Sequence, residues 1–258
     1  MTKNVSNTKT SIFLGTSDQA LVPLFSTHLL TILFNCLWII AFLMFIFWPQ
    51  KSYYLYFKEK DAPVNFLIIY LSILLVVSFI SLRSGKGEFI NMDFAERMTR
   101  SEKTTEDESY RFLSFGLVRS VIQTFCLCFP FFPVLITSAA LSEISMIMLW
   151  RSVVILYASS LLCRLMGFLI YLIFGKWNQI GALISWAFFA AFFVGTGYFA
   201  SFANPILLIY HYFRGMKGFI VPEDQTQVLY LLANASAILV LILLCSIKIG
   251  RGQFRESS

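Results

Sequence analysis

The sequence predicts an all-α polytopic membrane protein with six transmembrane helices. Of its 258 residues, 58% are hydrophobic and only 13% are charged, whereas a soluble domain carries roughly 25% charged residues. Six apolar stretches reach the length of about 20 residues that a spanning helix needs. These stretches lack period-2 alternation, which favours helices over barrel strands. A bilayer also forces each helix to satisfy its own backbone hydrogen bonds.

The six predicted spans follow one another along residues 1–258, which we interpret as a single transmembrane domain. They lie near residues 27–48, 63–82, 112–137, 146–174, 180–203 and 226–247. Residues 1–26 are mixed in polarity, and no small-residue cleavage site closes the first apolar stretch. We therefore expect a retained first helix, preceded by an N-terminal interfacial segment or an irregular leader.

The distribution of lysine and arginine predicts the orientation. With both termini inside, thirteen basic residues lie on the inner side and six on the outer side, as the positive-inside rule requires. We therefore predict N-in/C-in topology. The net charge of +6 then reflects topology, and it predicts contact with a lipid bilayer and no nucleic-acid partner.

The most charged connection lies between the second and third predicted spans, over residues 83–111. It carries six basic residues and seven of the chain's 14 acidic residues. Asp93, Glu96 and Arg97 have helical spacings with apolar residues between them, which is typical of a short amphipathic helix along the inner surface. The segment is either a docking surface for a soluble partner or a solvated linker.

The sequence offers no set of residues for catalysis. No aspartate or glutamate falls in a predicted helix core, and neither H-E-x-x-H nor G-x-S-x-G occurs. His28 and His211 lie on opposite sides of the membrane in the predicted topology. We therefore expect no enzyme, no catalytic, metal or cofactor-binding residues and no bound cofactor. The lack of buried carboxylates also disfavours a proton- or sodium-driven carrier.

Two features stand out inside the spans. Arg164 lies in the fourth span with about ten apolar residues on its inner side, or about 15 Å of helix, too far for unaided snorkelling. It predicts a translocation path or inter-subunit contact, or else a structural hydrogen bond. In the fifth span, Ala187, Ala191 and Gly195 recur at spacing four. Such a row predicts close helix packing within the subunit, or alternatively a dimer seam.

The stretch NPILLIYHYFRG separates the fifth and sixth spans. Pro205 interrupts any clean span, and Tyr210 and Arg214 suit a membrane interface. We predict a semi-buried outer segment over residues 204–225, or alternatively a stiff interfacial connector.

This arrangement resembles the permease subunit of a type-2, exporter-type ABC transporter. Permeases of that family have six spans, a charged loop after span 2 and a semi-buried outer segment after span 5. That outer segment commonly reads Asn-Pro, several apolar residues and then Arg. Here Asn204-Pro205 is followed by ILLIYHYF and Arg214, which is similar.

The resemblance implies a permease of the bacterial inner (plasma) membrane. A second permease copy or paralogue and separate cytoplasmic ATP-binding subunits would be its partners. Residues 204–225 would be re-entrant, with an outer cap formed by Asn204, Pro205, Tyr210 and Arg214. The loop at 83–111 would couple to the ATPase through Asp93, Glu96 and Arg97.

Two other interpretations stay open at this point. The chain could be a non-transporting polytopic assembly factor or sensor that docks a soluble partner through residues 83–111. It could also be an intramembrane enzyme of an unfamiliar type.

Overall fold

The computed structural model describes residues 27–46, 64–84, 106–142, 144–174, 179–199, 203–214 and 223–254. The α-helices in these ranges are α1 (Thr27–Ile46), α2 (Val64–Ser84), α3 (Glu106–Cys128), α4 (Phe132–Leu141), α5 (Met146–Phe174), α6 (Gln179–Ala190), α7 (Thr196–Phe199), α8 (Pro205–Arg214) and α9 (Glu223–Phe254). No strand occurs in the described ranges, which agrees with the all-α prediction.

Five helical segments are long and apolar enough to cross a membrane. They comprise Phe66–Ser84, Ser120–Leu141, Met146–Phe174, Gln179–Tyr198 and Gln225–Lys248. The apolar part of α1, Thr31–Leu43, is shorter. The chain therefore has the helices of a multi-pass membrane protein, whereas a sixth span and the N-in/C-in topology stay predictions.

Helix α5 lies at the centre of the bundle. It packs most extensively against α2 and α9, and also against α3 and α6. Ile155 and Leu156 on α5 and Ile73 on α2 are fully buried. Because lipid tails are as apolar as leucine, such helices associate through close packing and interhelical hydrogen bonds. The polar residues of α5 that lie in the interior can therefore form bonds that hold the neighbouring helices together.

The third predicted span is interrupted within the membrane. Between α3 and α4 the helix tightens into a 3₁₀ turn at Phe129–Phe131, where the Phe132 N–H bonds the Phe129 carbonyl. Pro130 and Pro133 explain the change, because neither residue has an N–H to continue the α-helical ladder.

Helices extend into the predicted inner loop from both sides. Helix α2 continues to Ser84 and α3 begins at Glu106, so both ends of the predicted segment 83–111 are helical. At the other end of the bundle, only residues 142–145 separate α4 from α5. There the Ser145 hydroxyl accepts a hydrogen bond from the Met148 N–H at 3.4 Å and caps α5.

Candidate functional site

The short helix α8 begins at the Asn-Pro pair. The Asn204 side-chain oxygen accepts hydrogen bonds from the N–H groups of Ile206 at 2.9 Å and Leu207 at 3.0 Å. Asparagine is among the preferred N-cap residues because it satisfies these otherwise orphaned donors. Pro205 occupies the first helical position, where a missing N–H leaves nothing unsatisfied. The local sequence therefore determines where α8 starts.

The Asn204 side-chain amide also forms hydrogen bonds to a second helix. Its nitrogen donates to the Phe193 carbonyl at 2.8 Å and to the Thr196 hydroxyl at 3.0 Å. The residue is only 1% exposed, and its amide makes all four hydrogen bonds of which it is capable. Asn204 thus links the start of α8 to the end of the α6–α7 span.

The acceptors of Asn204 lie at an irregularity in that span. From Ala191 to Gly195 the helix widens into a π turn, in which the Thr196 N–H bonds the Ala191 carbonyl five residues back. The Thr196 hydroxyl bonds the Phe192 carbonyl. In an α-helix, the Thr196 N–H would occupy that carbonyl. A side chain therefore replaces a backbone donor within the wide turn.

Gly197 allows the two segments to approach closely. A Cβ atom at this position would lie 3.3 Å from the Asn204 side-chain nitrogen and 3.6 Å from Leu207 Cδ1. A side chain here would push against the amide, so the absence of a Cβ leaves room for its bonds.

Helix α8 packs into the bundle against α2, α5 and α9. Pro205, Leu208 and Ile209 are buried, and Tyr210 is half-buried. The backbone of α8 ends at Arg214, whose side chain lies outside the described residues. Three of the four predicted cap residues therefore belong to α8 or its cap: Asn204, Pro205 and Tyr210. Their role as an outer cap stays a prediction.

The small-residue row in the fifth predicted span faces away from the other helices that the structure describes. Ala187 and Ala191 are exposed, and a Cβ at Gly195 would meet only the Ala191 Cβ, at 3.9 Å. The expected close packing of this row is therefore wrong for the described helices, whereas the alternative of a dimer seam stays a prediction.

Arg164 is fully buried inside the bundle. It is the largest side chain with essentially no exposed surface. Its guanidinium donates to the Gln123 side-chain oxygen at 3.3 Å and to the Thr124 hydroxyl at 3.5 Å, both on α3. Arg164 thus makes hydrogen bonds to neutral groups of a neighbouring helix. A role in a translocation path or an inter-subunit contact stays a prediction.

Further polar contacts continue along α5 toward the other end of the helix. The Ser159 hydroxyl donates to the Ile155 carbonyl at 2.7 Å and lies 2.6 Å from the Tyr230 hydroxyl of α9. Because serine has a single proton, the Tyr230 hydroxyl is the donor to Ser159. About two turns of α5 away, the Tyr70 hydroxyl of α2 donates to the Ser152 carbonyl at 2.8 Å.

We call Ser152, Ser159 and Arg164, together with their partners on α2, α3 and α9, the polar seam. It extends over twelve positions of α5, or about 18 Å at 1.5 Å per residue. That is more than half of a hydrocarbon core of about 30 Å. The seam ties α5 to each of the three helices with polar bonds that lipid cannot replace.

The Ser159–Tyr230 bond should be measurable as a coupling between α5 and α9. We expect Tyr230→Phe and Ser159→Ala each to lower the free energy of unfolding in detergent. The double variant should lose less than the sum, with a coupling of about 0.6 kcal/mol, the mean for such pairs in membranes. Tyr198→Phe is the matched control, because Tyr198 is 85% exposed. Additive losses would contradict the bond.

The sequence pointed to Arg164 and Asn204 but not to their partners. Gln123 and Thr124 precede a run of apolar residues on α3, and Tyr230 precedes one on α9. Isolated polar residues of this kind in a span signal an interior face, but only the packing assigns the pairs. The predicted coupling residues Asp93, Glu96 and Arg97 lie outside the described residues. Among the residues that are described, no group of three histidine, cysteine or acidic side chains could hold a metal ion.

Comparison with known proteins finds no match for this chain. No family model, no curated protein and no solved structure matches it. Its function must therefore be argued from its own residues.

Proposed function

We propose that the chain is a permease subunit of an ATP-binding-cassette exporter. It would form the path for a substrate across the bacterial inner membrane with a second permease copy or paralogue. Separate cytoplasmic ATP-binding subunits would drive it. The observation that carries the proposal is α8, a short helix that starts at Asn204-Pro205 after the fifth predicted span and packs against α2, α5 and α9.

A short helix of this kind suits a permease for a physical reason. Chain breaks at membrane depth are tolerated only where the protein satisfies the backbone or where a wet cavity does so. Asn204 satisfies the first donors of α8 and also binds the preceding span. A helix held in this way by side-chain bonds can cap the outer end of a path without crossing the membrane.

The polar seam supports the same proposal. Polar and charged groups in spanning helices are costly and usually face an interior or a water-filled path. Arg164 and Tyr230 are buried between helices. If α5 separated from α3 or α9, these side chains would line the path that opens between the helices. The cargo would then meet a polar, positively charged wall on α5.

Copurification tests the proposal. The full-length chain, tagged and expressed in its native cells, is purified in mild detergent, and copurifying proteins are identified with their ATPase activity. We expect an ATP-binding protein in stoichiometric amount. Intact chain that brings down no ATPase would refute the permease proposal and favour the assembly factor or sensor.

Variants of the inner loop test the coupling residues. Alanine at Asp93, Glu96 and Arg97 together should release the ATPase. The matched control replaces Glu88, Glu102 and Lys103, which removes the same charges from the same loop. Equal recovery of the ATPase with both triple variants would exclude Asp93, Glu96 and Arg97 as the contacts while leaving the permease proposal intact.

A further inference from the structure

We propose that Asn204 and the π turn of the fifth predicted span form a latch for α8. The latch consists of the Asn204 side-chain nitrogen, the Phe193 carbonyl and the Thr196 hydroxyl. It holds α8 against the span while the turn is wide, and it opens when the turn adopts α-helical hydrogen bonding.

The π turn gives the span two possible registers. A π turn holds one residue more than an α turn, and such turns are often found at functional sites. Conversion of Ala191–Gly195 to α-helical bonding advances the following residues by one position, a rotation of about 100° with a rise of about 1.5 Å. Thr196 and Gly197 lie directly after the turn, so they move with it.

Side chains supply the bonds that favour the wide register. The Thr196 hydroxyl bonds the Phe192 carbonyl, and Asn204 bonds the next carbonyl, that of Phe193. In the α register the Thr196 N–H would bond the Phe192 carbonyl, and the rotation of about 100° would turn the Thr196 hydroxyl away from Asn204. The hydroxyl is also the second acceptor of Asn204. One register change therefore disturbs both contacts of the latch.

Aromatic side chains pack around the π turn. Phe188 stacks on Phe192 at 5.9 Å between ring centroids, and Phe189 lies 4.7 Å from Phe193. Both Phe192 and Phe193 are buried although they are adjacent in sequence. The register change would rotate these rings relative to the rest of the span, so the two states are discrete.

The two ends of the Asn204 amide have separate tasks. The oxygen caps α8 itself, whereas the nitrogen joins α8 to the span. When the latch opens, the cap can persist, and α8 can leave the span as an intact helix. Because the bonds to Phe193 and Thr196 exist only in the docked, wide state, docking of α8 and the wide register stabilise each other.

Hydrogen exchange of the full-length chain in lipid nanodiscs tests the latch. Asn204→Ser keeps an N-cap oxygen, but its hydroxyl is too short to reach the Phe193 carbonyl. We expect backbone amides in both 191–199 and 205–214 to exchange about tenfold faster, as the loss of one or two buried hydrogen bonds produces. If Asn204→Ser accelerates exchange in neither segment, or in 205–214 alone, Asn204 is only a cap.

Thr196→Val is the second variant, for the case in which Asn204→Ser loosens the entire chain. It should accelerate exchange in both segments, because it removes the hydroxyl shared by the turn and the latch. Acceleration limited to 191–199 would overturn the latch. Thr137→Val is the matched control, since the Thr137 hydroxyl bonds only the Pro133 carbonyl of its own helix, at 2.7 Å, and it should leave both segments unchanged.

The latch does not rest on the permease proposal. Exchange is measured on the purified chain without an ATPase, so failure of either proposal leaves the other standing.

Discussion

Replacement of Arg164 with alanine is expected to lower the free energy of unfolding in detergent by about 3 kcal/mol. Truncation of a long, fully buried side chain to alanine costs about 2–5 kcal/mol through the cavity that it leaves. The substitution also removes two hydrogen bonds, to Gln123 and Thr124. Removal of a buried charge offsets part of this loss, because an arginine at the centre of a span costs about 2.5 kcal/mol or more. SDS titration of the purified chain gives the measurement.

Two further variants separate packing from charge. Arg83→Ala is the matched control, because Arg83 is exposed at the end of α2, and it should change stability by less than about 0.5 kcal/mol. Arg164→Met combined with Gln123→Leu replaces both hydrogen-bonding partners with apolar groups, which is often neutral or stabilising. Equal stability of Arg164→Ala and Arg83→Ala would contradict the buried position of Arg164.

The same double variant bears on function. If Arg164 serves only the fold, a chain with methionine and leucine at the two positions should retain its function. If Arg164 faces the path, that chain should be stable but inactive in export. The structure makes this separation possible because Gln123 and Thr124, to which Arg164 donates, are neutral side chains of α3.

Replacement of Asn204 with alanine is expected to cost about 3 kcal/mol of unfolding free energy. Loss of an N-cap costs about 0.5–2 kcal/mol, and each buried hydrogen bond contributes about 1 kcal/mol. Asn204 provides the cap of α8 and two bonds to the α6–α7 span. Asn204→Ser should recover about 1 kcal/mol of the loss, because serine restores the cap.

Asn35→Ala is the matched control for Asn204. Asn35 is exposed on α1, and its substitution should change stability by less than about 0.5 kcal/mol. Should Asn204→Ala prove as stable as Asn35→Ala, the four bonds of the Asn204 amide would not contribute to the stability of the fold.

Composition was enough to predict the class of the protein. Long apolar stretches form helices in a bilayer because each backbone N–H and C=O group needs a hydrogen-bond partner there. The start of α8 was also encoded locally, because Asn204 and Pro205 are the residues that a helix N-terminus prefers. Helix ends were less predictable. Helix α9 continues to Phe254, well past the apolar stretch, because backbone bonding does not stop where hydropathy falls.

The irregular turns were not predicted, although one of them had a sequence signal. Pro130 and Pro133 in the third span could have predicted the 3₁₀ turn, since proline removes a backbone donor. The π turn at Ala191–Gly195 had no such signal. It contains no proline, and bonds from Thr196 and Asn204 support it.

The sequence by itself determined that this chain is helical, belongs in a membrane, carries one arginine deep within a span and breaks at Asn204-Pro205. Only the tertiary structure decided which groups those residues meet. Arg164 bonds Gln123, some 41 positions away in sequence, and Asn204 bonds a carbonyl 11 positions back. Hydropathy and local propensity depend on neighbours along the chain, whereas hydrogen-bond partners depend on which helix faces pack together, and many packings satisfy the same pattern of apolar residues.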